Sequence, residues 1–438
     1  MTVLKKILKK LIFSLLAAAL VLLLSEGALR AVAGLTEKDW RTDPLPAHAE
    51  YEVLCEFSDL LRMCPDQGPE YERVRPEVFF PTADRPRVVV IGESSVYGLG
   101  IAATEAWPAR LEAHLGGAAE VLNMGRCGTY ASRLVPIVQA ALTIEPSAIV
   151  LAIGNNEHTM TSFYTGLAAR DPLAVYAMSR TLGRIQLYGL LSRVLIGDGR
   201  VVESFEAPRE LLSDPVERLA YAARRRPPDL TAFPDALASP EVTALIEREQ
   251  RLKERIYREH MIAMLDAIAP TGVPVVLATM ARDLTVPPVL SGVHIPENAD
   301  RIRALLHRLE NHRSEQVAIV AEGLALDERV SAFQYENAMI LRRQGRLAEA
   351  AEGARTAVEW DLVPDGTPAI NTIIRQLAAE RGLALLDLDV LADASLSDPE
   401  ALFLDKVHFN ARGADRVGEE AAGVLHGVLG LPGAGPVR

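Results

Sequence analysis

The stretch Arg87–Gly98, RVVVIGESSVYG, decides the fold of this chain. Residues 88–91 are consecutive apolar β-branched residues, the pattern of a strand that is buried on both faces of a parallel sheet. Gly92 ends this run, and the adjacent serines Ser94 and Ser95 follow it. Because open α/β folds bind ligands at the carboxyl ends of parallel strands, the serines lie where a ligand would bind. A phosphate-binding turn or a purely structural turn is the alternative interpretation.

A second stretch, residues 403–413 with the sequence FLDKVHFNARG, contains a carboxylate and an imidazole three residues apart. One short turn can hold Asp405 and His408 together. A serine hydroxyl becomes a good nucleophile when an imidazole removes its proton, and a carboxylate can fix the tautomer of that imidazole. By itself this spacing is also typical of a surface turn.

Two further strands end in residues that can donate hydrogen bonds. Residues 120–128, EVLNMGRCG, end in a glycine loop, and residues 148–157, AIVLAIGNNE, end in paired asparagines. A backbone amide at Gly128 and the side-chain amide of Asn155 or Asn156 would suit a developing oxyanion. A tight turn for the glycine and a capping role for the asparagines are the alternatives.

Together and in this order, the four stretches resemble the SGNH hydrolases, also called the GDSL esterase and lipase superfamily. The resemblance implies a flavodoxin-like three-layer α/β/α domain without a metal or organic cofactor. It implies Ser94 as the nucleophile, whose own amide is an oxyanion donor together with Gly128 and Asn156. It implies Asp405 and His408 as the rest of the catalytic triad.

The chain departs from the commonest family pattern at two acidic positions. Glu93 and Glu157 stand where the family usually has aspartate, and neither is expected to transfer a proton. Ser95 is the competing nucleophile, but Ser94 is the third residue of the matching GES motif. The chain also resembles a membrane-anchored bacterial subgroup with tetratricopeptide-like insertions, in which GNNE replaces GxND.

Length and charge limit the possible functions. The 438 residues are 49% hydrophobic, which is ample for one large core and an added domain. With 46 basic and 58 acidic residues the net charge is −12, which argues against nucleic acid as a general partner.

The N-terminal region predicts an export segment. Four lysines between residues 5 and 10 precede the apolar stretch Leu11–Ser25, so the remainder is expected outside the cytoplasm. A cleavage site is possible at 31–33. An uncleaved anchor is the favoured prediction, because Glu26 and Arg30 can pair on a helix that continues to about residue 34. The resemblance implies a bacterial inner membrane.

Three cysteines are present, and their spacing matches no zinc site. Cys55 and Cys64 could form a disulfide in an oxidising compartment, while Cys127 lies beside the proposed oxyanion glycine. Three free thiols are the equal alternative.

The remaining pattern predicts a hydrolase domain interrupted by helices. GLALD at 323–327 and AVEWD at 357–361 are one tetratricopeptide period apart, which predicts about two degenerate repeats that buttress or cover the core. His294 is expected to be an exposed loop residue. The predicted segments are a signal-anchor (1–34), a spacer (35–85), hydrolase parts (86–160, 255–295 and 365–430), a helical insertion (161–254) and a tetratricopeptide-like insertion (296–364).

The predicted function is an extracytoplasmic serine esterase that cleaves an O-acyl ester, with an O-acetyl ester as one candidate, through an acyl-enzyme. The first alternative is an O-acyltransferase that acts on a glycan. The second is a non-catalytic scaffold that binds a protein partner through the helical insertion, although a scaffold has no need of Ser94 and His408 together.

Overall fold

A computed structural model describes residues 20–32, 85–126, 129–157, 185–187, 190, 237–362, 366–398 and 402–431. The chain divides into two compact units, Met1–Ala49 with Leu167–Leu211, and Glu50–Gly166 with Leu212–Arg438. The predictions on the three cysteines, on Gly128, on the spacer and on the 31–33 cleavage site fall wholly or partly outside the described residues.

The larger unit contains a five-stranded parallel sheet. Its strands are β1 (Arg87–Gly92), β2 (Glu120–Gly125), β3 (Ala148–Ala152), β4 (Val275–Ala278) and β5 (Ala384–Leu386). Their order is β2-β1-β3-β4-β5, the flavodoxin-like order of a doubly wound sheet. The predicted fold class is therefore confirmed.

Eleven α-helices are named within the described part of this unit. They are α1 (Ser94–Tyr97), α2 (Trp107–His114), α3 (Ala131–Leu142), α4 (Pro240–Ile268), α5 (Ala299–Asn311), α6 (Gln316–Leu326), α7 (Ser331–Arg343), α8 (Leu347–Glu359), α9 (Pro368–Arg381), α10 (Ala394–Ser397) and α11 (Ala411–Leu429).

Strand β1 is buried on both faces, as its apolar run predicts. Val88 and Val90 face the layer that contains α2 and α11, whereas Val89 and Ile91 face the layer that contains α3, α4 and α9. All four side chains are fully buried. The sheet is thus the middle of three layers, and its carboxyl edge is left to carry the loops.

The chain winds outward from β1 in both directions, since β1 pairs with β2 on one side and with β3 on the other. The loops after β1 and β3 therefore separate at a topological switch point, where doubly wound folds bind their ligands.

Two glycines at this edge of the sheet are needed for close packing. A Cβ atom at Gly92 would lie 2.3 Å from the carbonyl oxygen of Ala152, and one at Gly125 would lie 2.2 Å from the backbone nitrogen of Tyr97.

Helices α5 to α8 lie between β4 and β5 in the chain. Fully buried Phe333 belongs to an apolar core to which α5, α6 and α7 contribute, whereas α8 packs with α7 and α10 in a second apolar cluster. Helices α7 and α8 pack against each other and are joined by a turn in which Gly345 has a φ of 77°. The tetratricopeptide likeness of these helices stays a prediction.

The segments 323–327 and 357–361, which lie one predicted repeat apart, both end in an aspartate that accepts hydrogen bonds from the loop after β4. Asp327 follows α6 and accepts the N–H of His294 at 3.1 Å. Asp361 follows α8 in the same way and accepts the N–H groups of Val289 and Leu290 at 2.8 and 3.0 Å. Both aspartates are buried, so each fixes part of the loop that follows β4.

The expectation of an exposed His294 is wrong. Its side chain is only 2% exposed, and its Nδ1 atom lies 3.0 Å from Oε1 of Glu247. The ring of Trp360 packs edge-on against it, with the ring centroids 5.3 Å apart. The local sequence could not show this, because Trp360 belongs to the end of a distant helix.

In the smaller unit, residues 20–32 are helical. Arg30 donates from Nε to Oε1 of Glu26 at 2.7 Å, which confirms the predicted i,i+4 pair. Glu26 also accepts the N–H groups of Gln186 and Leu187 at 3.0 and 2.8 Å. Over the described ranges, no helix combines the length and the apolarity that crossing a membrane requires.

Candidate active site

Ser94 begins the short helix α1, directly after the buried strand β1 and the single residue Glu93. Its carbonyl oxygen accepts the N–H groups of Gly98 and Leu99, both at 3.1 Å. Gly98 has a φ of 89°, which glycine adopts at little cost. The buried strand predicted from the sequence is therefore followed by a sharp turn, which leaves Ser94 at the carboxyl edge of the sheet.

Three of the predicted site residues form a continuous chain of contacts. The hydroxyl oxygen of Ser94 lies 2.8 Å from Nε2 of His408. On the other side of the ring, Nδ1 of His408 lies 2.8 and 2.9 Å from the two carboxylate oxygens of Asp405. Ser95 also lies on α1, but it is Ser94 that contacts the imidazole.

The turn that carries Asp405 and His408 is closed by its own backbone. Leu404 donates its N–H to the carbonyl oxygen of His408 at 2.8 Å, and the rings of Phe403 and Phe409 stack with centroids 5.2 Å apart. One carboxylate oxygen of Asp405 also accepts the backbone N–H groups of Val407 and His408 at 3.0 and 2.9 Å. The three-residue spacing thus holds the acid and the imidazole in one rigid turn.

Asp405 remains ionised at neutral pH. Burial would raise its pKa, but hydrogen bonds from the His408 ring and from the N–H groups of Val407 and His408 outweigh that effect and lower the pKa to about 2. A carboxylate at this position favours the tautomer of His408 that carries its proton on Nδ1. Nε2 is then free to accept the proton of the Ser94 hydroxyl.

The predicted oxyanion donors are described only in part. Gly92 at the end of β1 is paired with Ala152 at the end of β3, so the loops that hold Ser94 and Asn156 leave the sheet side by side. The backbone N–H of Asn156 donates to Oε1 of Glu93 at 3.4 Å. The donor roles of Ser94, Gly128 and Asn156 stay predictions, and Gly128 lies outside the described residues.

Two buried carboxyl groups, those of Glu93 and Glu157, lie next to Ser94 and Asn156 in the chain, and the sequence pattern assigns no role to them. The Glu93 and Glu157 side chains are both 0% exposed. Burial raises the pKa of Glu93, and the charge of Glu157 raises it further. Burial likewise raises the pKa of Glu157, against the lowering effects of the Ala131 N–H and of Lys253. The signal was the departure of both positions from the family pattern.

No family model matches the chain, and no curated protein matches it. Similar solved structures include a member of the lipolytic G-D-S-L family from Veillonella parvula, with 10% identity, a TM-score of 0.33, and coverage of 77% of this chain and 97% of that one. A carbohydrate acetylesterase family member from Sinorhizobium meliloti has 11% identity, a TM-score of 0.34 and coverages of 79% and 100%.

A catalytic mutant of an acetylxylan esterase from Geobacillus stearothermophilus is also similar, with 10% identity, a TM-score of 0.32, and coverage of 79% of this chain and 95% of that one. At these identities and TM-scores, the function of the chain is inferred from its own side chains. The strand order and the contact between Ser94 and His408 are the features on which that inference rests.

Proposed function

We propose that the protein is a serine esterase that cleaves an O-acyl ester through a covalent acyl-enzyme. The single observation that carries the proposal is the chain of contacts from the Ser94 hydroxyl through the His408 ring to the Asp405 carboxylate. Packing alone does not require a hydroxyl, an imidazole and a carboxylate to be aligned at the ligand-binding edge of a sheet.

The first half of the reaction follows from this geometry. His408 removes the hydroxyl proton through Nε2 while the Ser94 oxygen attacks the acyl carbon, and the carbonyl electron pair moves onto its oxygen. Asp405 stabilises the imidazolium that forms. When the tetrahedral intermediate collapses, the bond to the alcohol oxygen breaks and His408 gives its proton to the leaving alcohol, so Ser94 is left acylated.

The second half repeats the sequence with water. His408 takes a proton from the water molecule, whose oxygen attacks the acyl carbon, and it returns the proton to Ser94 as the acid leaves. The Ser94 amide, the Gly128 amide and the Asn156 side chain are the proposed donors to the oxyanion. A sugar hydroxyl in place of water would make the same site an acyltransferase.

An acetyl-release assay with the purified protein tests the proposal. Acetylated glycans and small aryl esters should be hydrolysed, and the released acid should be measured with and without a sugar acceptor. Transfer of the acyl group to the acceptor at the expense of hydrolysis would favour the acyltransferase. An intact protein that turns over no ester, yet retains a bound protein partner, would favour the scaffold.

We also propose that the catalytic unit is anchored on the extracytoplasmic side of a bacterial membrane. Support comes from the lysines that precede the apolar segment and from the apolar side chains at 20–24, which are 56–70% exposed. A reporter fused after residue 438 should be active outside the cytoplasm, and the fusion should resist extraction by carbonate. A soluble product that begins at residue 34 would show that the segment is cleaved instead.

A further inference from the structure

We propose that Glu93 and Glu157 are positioning residues for the esterase reaction, whose buried carboxyl groups hold the loop after β3 against Ser94 and against the start of α3 so that the Asn156 donor faces Ser94. This inference rests on the proposed function. Neither residue contacts the reacting atoms in the reaction derived above. Their role is to fix backbone segments from different parts of the chain around the nucleophile.

Glu93 links the nucleophile to the asparagine loop. It precedes Ser94 directly, and its carboxylate accepts the N–H of Asn155 at 2.7 Å and the N–H of Asn156 at 3.4 Å, across more than sixty residues of sequence. One rigid side chain thus sets the distance between the attacking oxygen and the loop that carries the proposed side-chain donor. Preorganised donors of this kind need no reorganisation during the reaction.

Glu157 links the asparagine loop to the start of α3. It follows Asn156 directly, and its Oε1 atom accepts the N–H of Ala131, the first residue of α3, at 2.8 Å. A carboxyl group at a helix N-terminus is also favoured by the helix dipole. Glu93 therefore belongs to the loop after β1 and binds the backbone of the loop after β3. Glu157 belongs to the loop after β3 and binds the backbone at the start of α3.

Structure alone does not explain two fully buried acidic side chains. Burial of each carboxylate costs stability, and the Oε2 atom of Glu157 has no hydrogen-bond partner among the described residues. An apolar pair of similar volume would commonly give a more stable core. From α4, Lys253 attracts the charge of Glu157.

The test compares substitutions at Glu93 with a matched control at Asp361. Like Glu93, Asp361 is buried and accepts two successive backbone N–H groups, but it lies at the end of α8 and holds the loop after β4. Glu93→Ala, Glu93→Gln and Asp361→Ala are assayed on a small ester for kcat and KM. Their binding of a trifluoromethyl ketone, which forms a tetrahedral adduct with a serine, is measured beside their melting temperatures.

We expect Glu93→Ala to lower kcat by about 10²–10³-fold, the usual cost of one oxyanion donor, with little change in KM. The ketone should bind more weakly by a similar factor, because both effects report binding of the oxyanion. Glu93→Gln keeps an acceptor oxygen and should retain activity within about tenfold of the wild type. Asp361→Ala should lower the melting temperature without a selective loss of ketone binding.

Three outcomes separate the hypotheses. If the wild type hydrolyses esters and Glu93→Ala keeps its kcat and its ketone affinity, the positioning role is overturned while the proposed function stands. If the wild type hydrolyses no ester, the proposed function fails and the inference fails with it. Should Glu93→Ala not fold, Glu157→Ala takes its place, and an unchanged ketone affinity in that variant would equally overturn the role.

Discussion

Asp283 donates its backbone N–H to the carbonyl oxygen of Lys406 at 2.8 Å, so the loop after β4 supports the turn that carries Asp405 and His408. The same loop is held by the helical insertion, since the Tyr335 hydroxyl donates to the carbonyl oxygen of Thr285 at 2.6 Å. The insertion thus reaches the turn of Asp405 and His408 through one backbone loop. This arrangement favours a buttress over a recruiting surface.

The buttress hypothesis predicts that the exposed face of the insertion is dispensable. Val317 and Leu347 are 63% and 41% exposed, and the double variant Val317→Ser/Leu347→Ser should leave the melting temperature and kcat unchanged. Tyr335→Phe should lower the melting temperature, because it removes a hydrogen bond that contributes about 1 kcal/mol. A double variant that slowed cleavage of large substrates only would indicate a lid, and loss of a partner in a pull-down would indicate a docking surface.

The nucleophile can be identified with the adjacent serines as a matched pair. Ser94→Ala should abolish labelling by a fluorophosphonate and reduce ester hydrolysis by at least about 10³-fold, because Ser94 is the one of these two serines that contacts Nε2 of His408. Ser95→Ala should still be labelled. Labelling that persists in Ser94→Ala and disappears in Ser95→Ala would assign the reaction to the second serine.

Asp405→Asn should lower kcat by roughly 10²–10⁴-fold, because an amide at this position can hold the wrong tautomer of His408. Asp300→Asn removes one charge from the exposed side chain at the start of α5 and serves as the control. Since the pKa of Asp405 is lowered to about 2, this carboxylate stays charged at every pH above about 4. Any fall in kcat/KM on the acid side of the profile above that pH therefore does not come from titration of Asp405. The same fall should be seen in Asp405→Asn, and its disappearance in this variant would contradict the assignment.

The buried glutamates predict an unusual dependence of stability on pH. Because the pKa of Glu93 is raised above its ordinary value of 4.5, the folded protein keeps a proton that the unfolded chain releases as the pH rises. Stability therefore falls with increasing pH between 4.5 and the raised value. Glu93→Gln should flatten this slope in melting temperatures measured from about pH 5 to pH 8.

Glu380→Gln, which removes an exposed carboxylate paired with Arg258, should leave that slope unchanged. Glu157, Lys253 and Tyr257 are the titratable groups that interact with the buried pair, so a change at any of them is expected to alter the slope as well. An identical slope in the wild type and in Glu93→Gln would mean that Glu93 titrates normally.

Packing in the insertion can be tested with two glycines. A Cβ atom at Gly323 in α6 would lie 2.5 Å from the ring of buried Phe333, whereas one at Gly423 in α11 would have nothing within 4 Å. Gly323→Ala should therefore lower the melting temperature, since overpacking commonly costs about 1–3 kcal/mol. Gly423→Ala should raise it slightly through the better helix propensity of alanine. Equal effects at the two sites would contradict the described packing of α6 on α7.

Sequence alone predicted the parts of the molecule that depend on local pattern. The β-branched run at 88–91 fixed a central strand, and the three-residue spacing of Asp405 and His408 fixed a single turn. The environment of Glu93 could not be foreseen in this way, because its burial requires the loops after β1 and β3 to meet. The environment of His294 depends in the same way on Trp360, a residue that only tertiary packing brings near.

The separation of Ser94 from His408 by 314 residues has a consequence for the protein while it is being made. Synthesis runs from the N-terminus at about 5–20 residues per second, so the nucleophile precedes its base by roughly a quarter of a minute to a minute. Until the last part of the sheet and α11 are complete, a nascent chain holds a serine hydroxyl that no imidazole activates. The enzyme we propose would therefore gain its ester-cleaving activity only after its final segments have been made and folded.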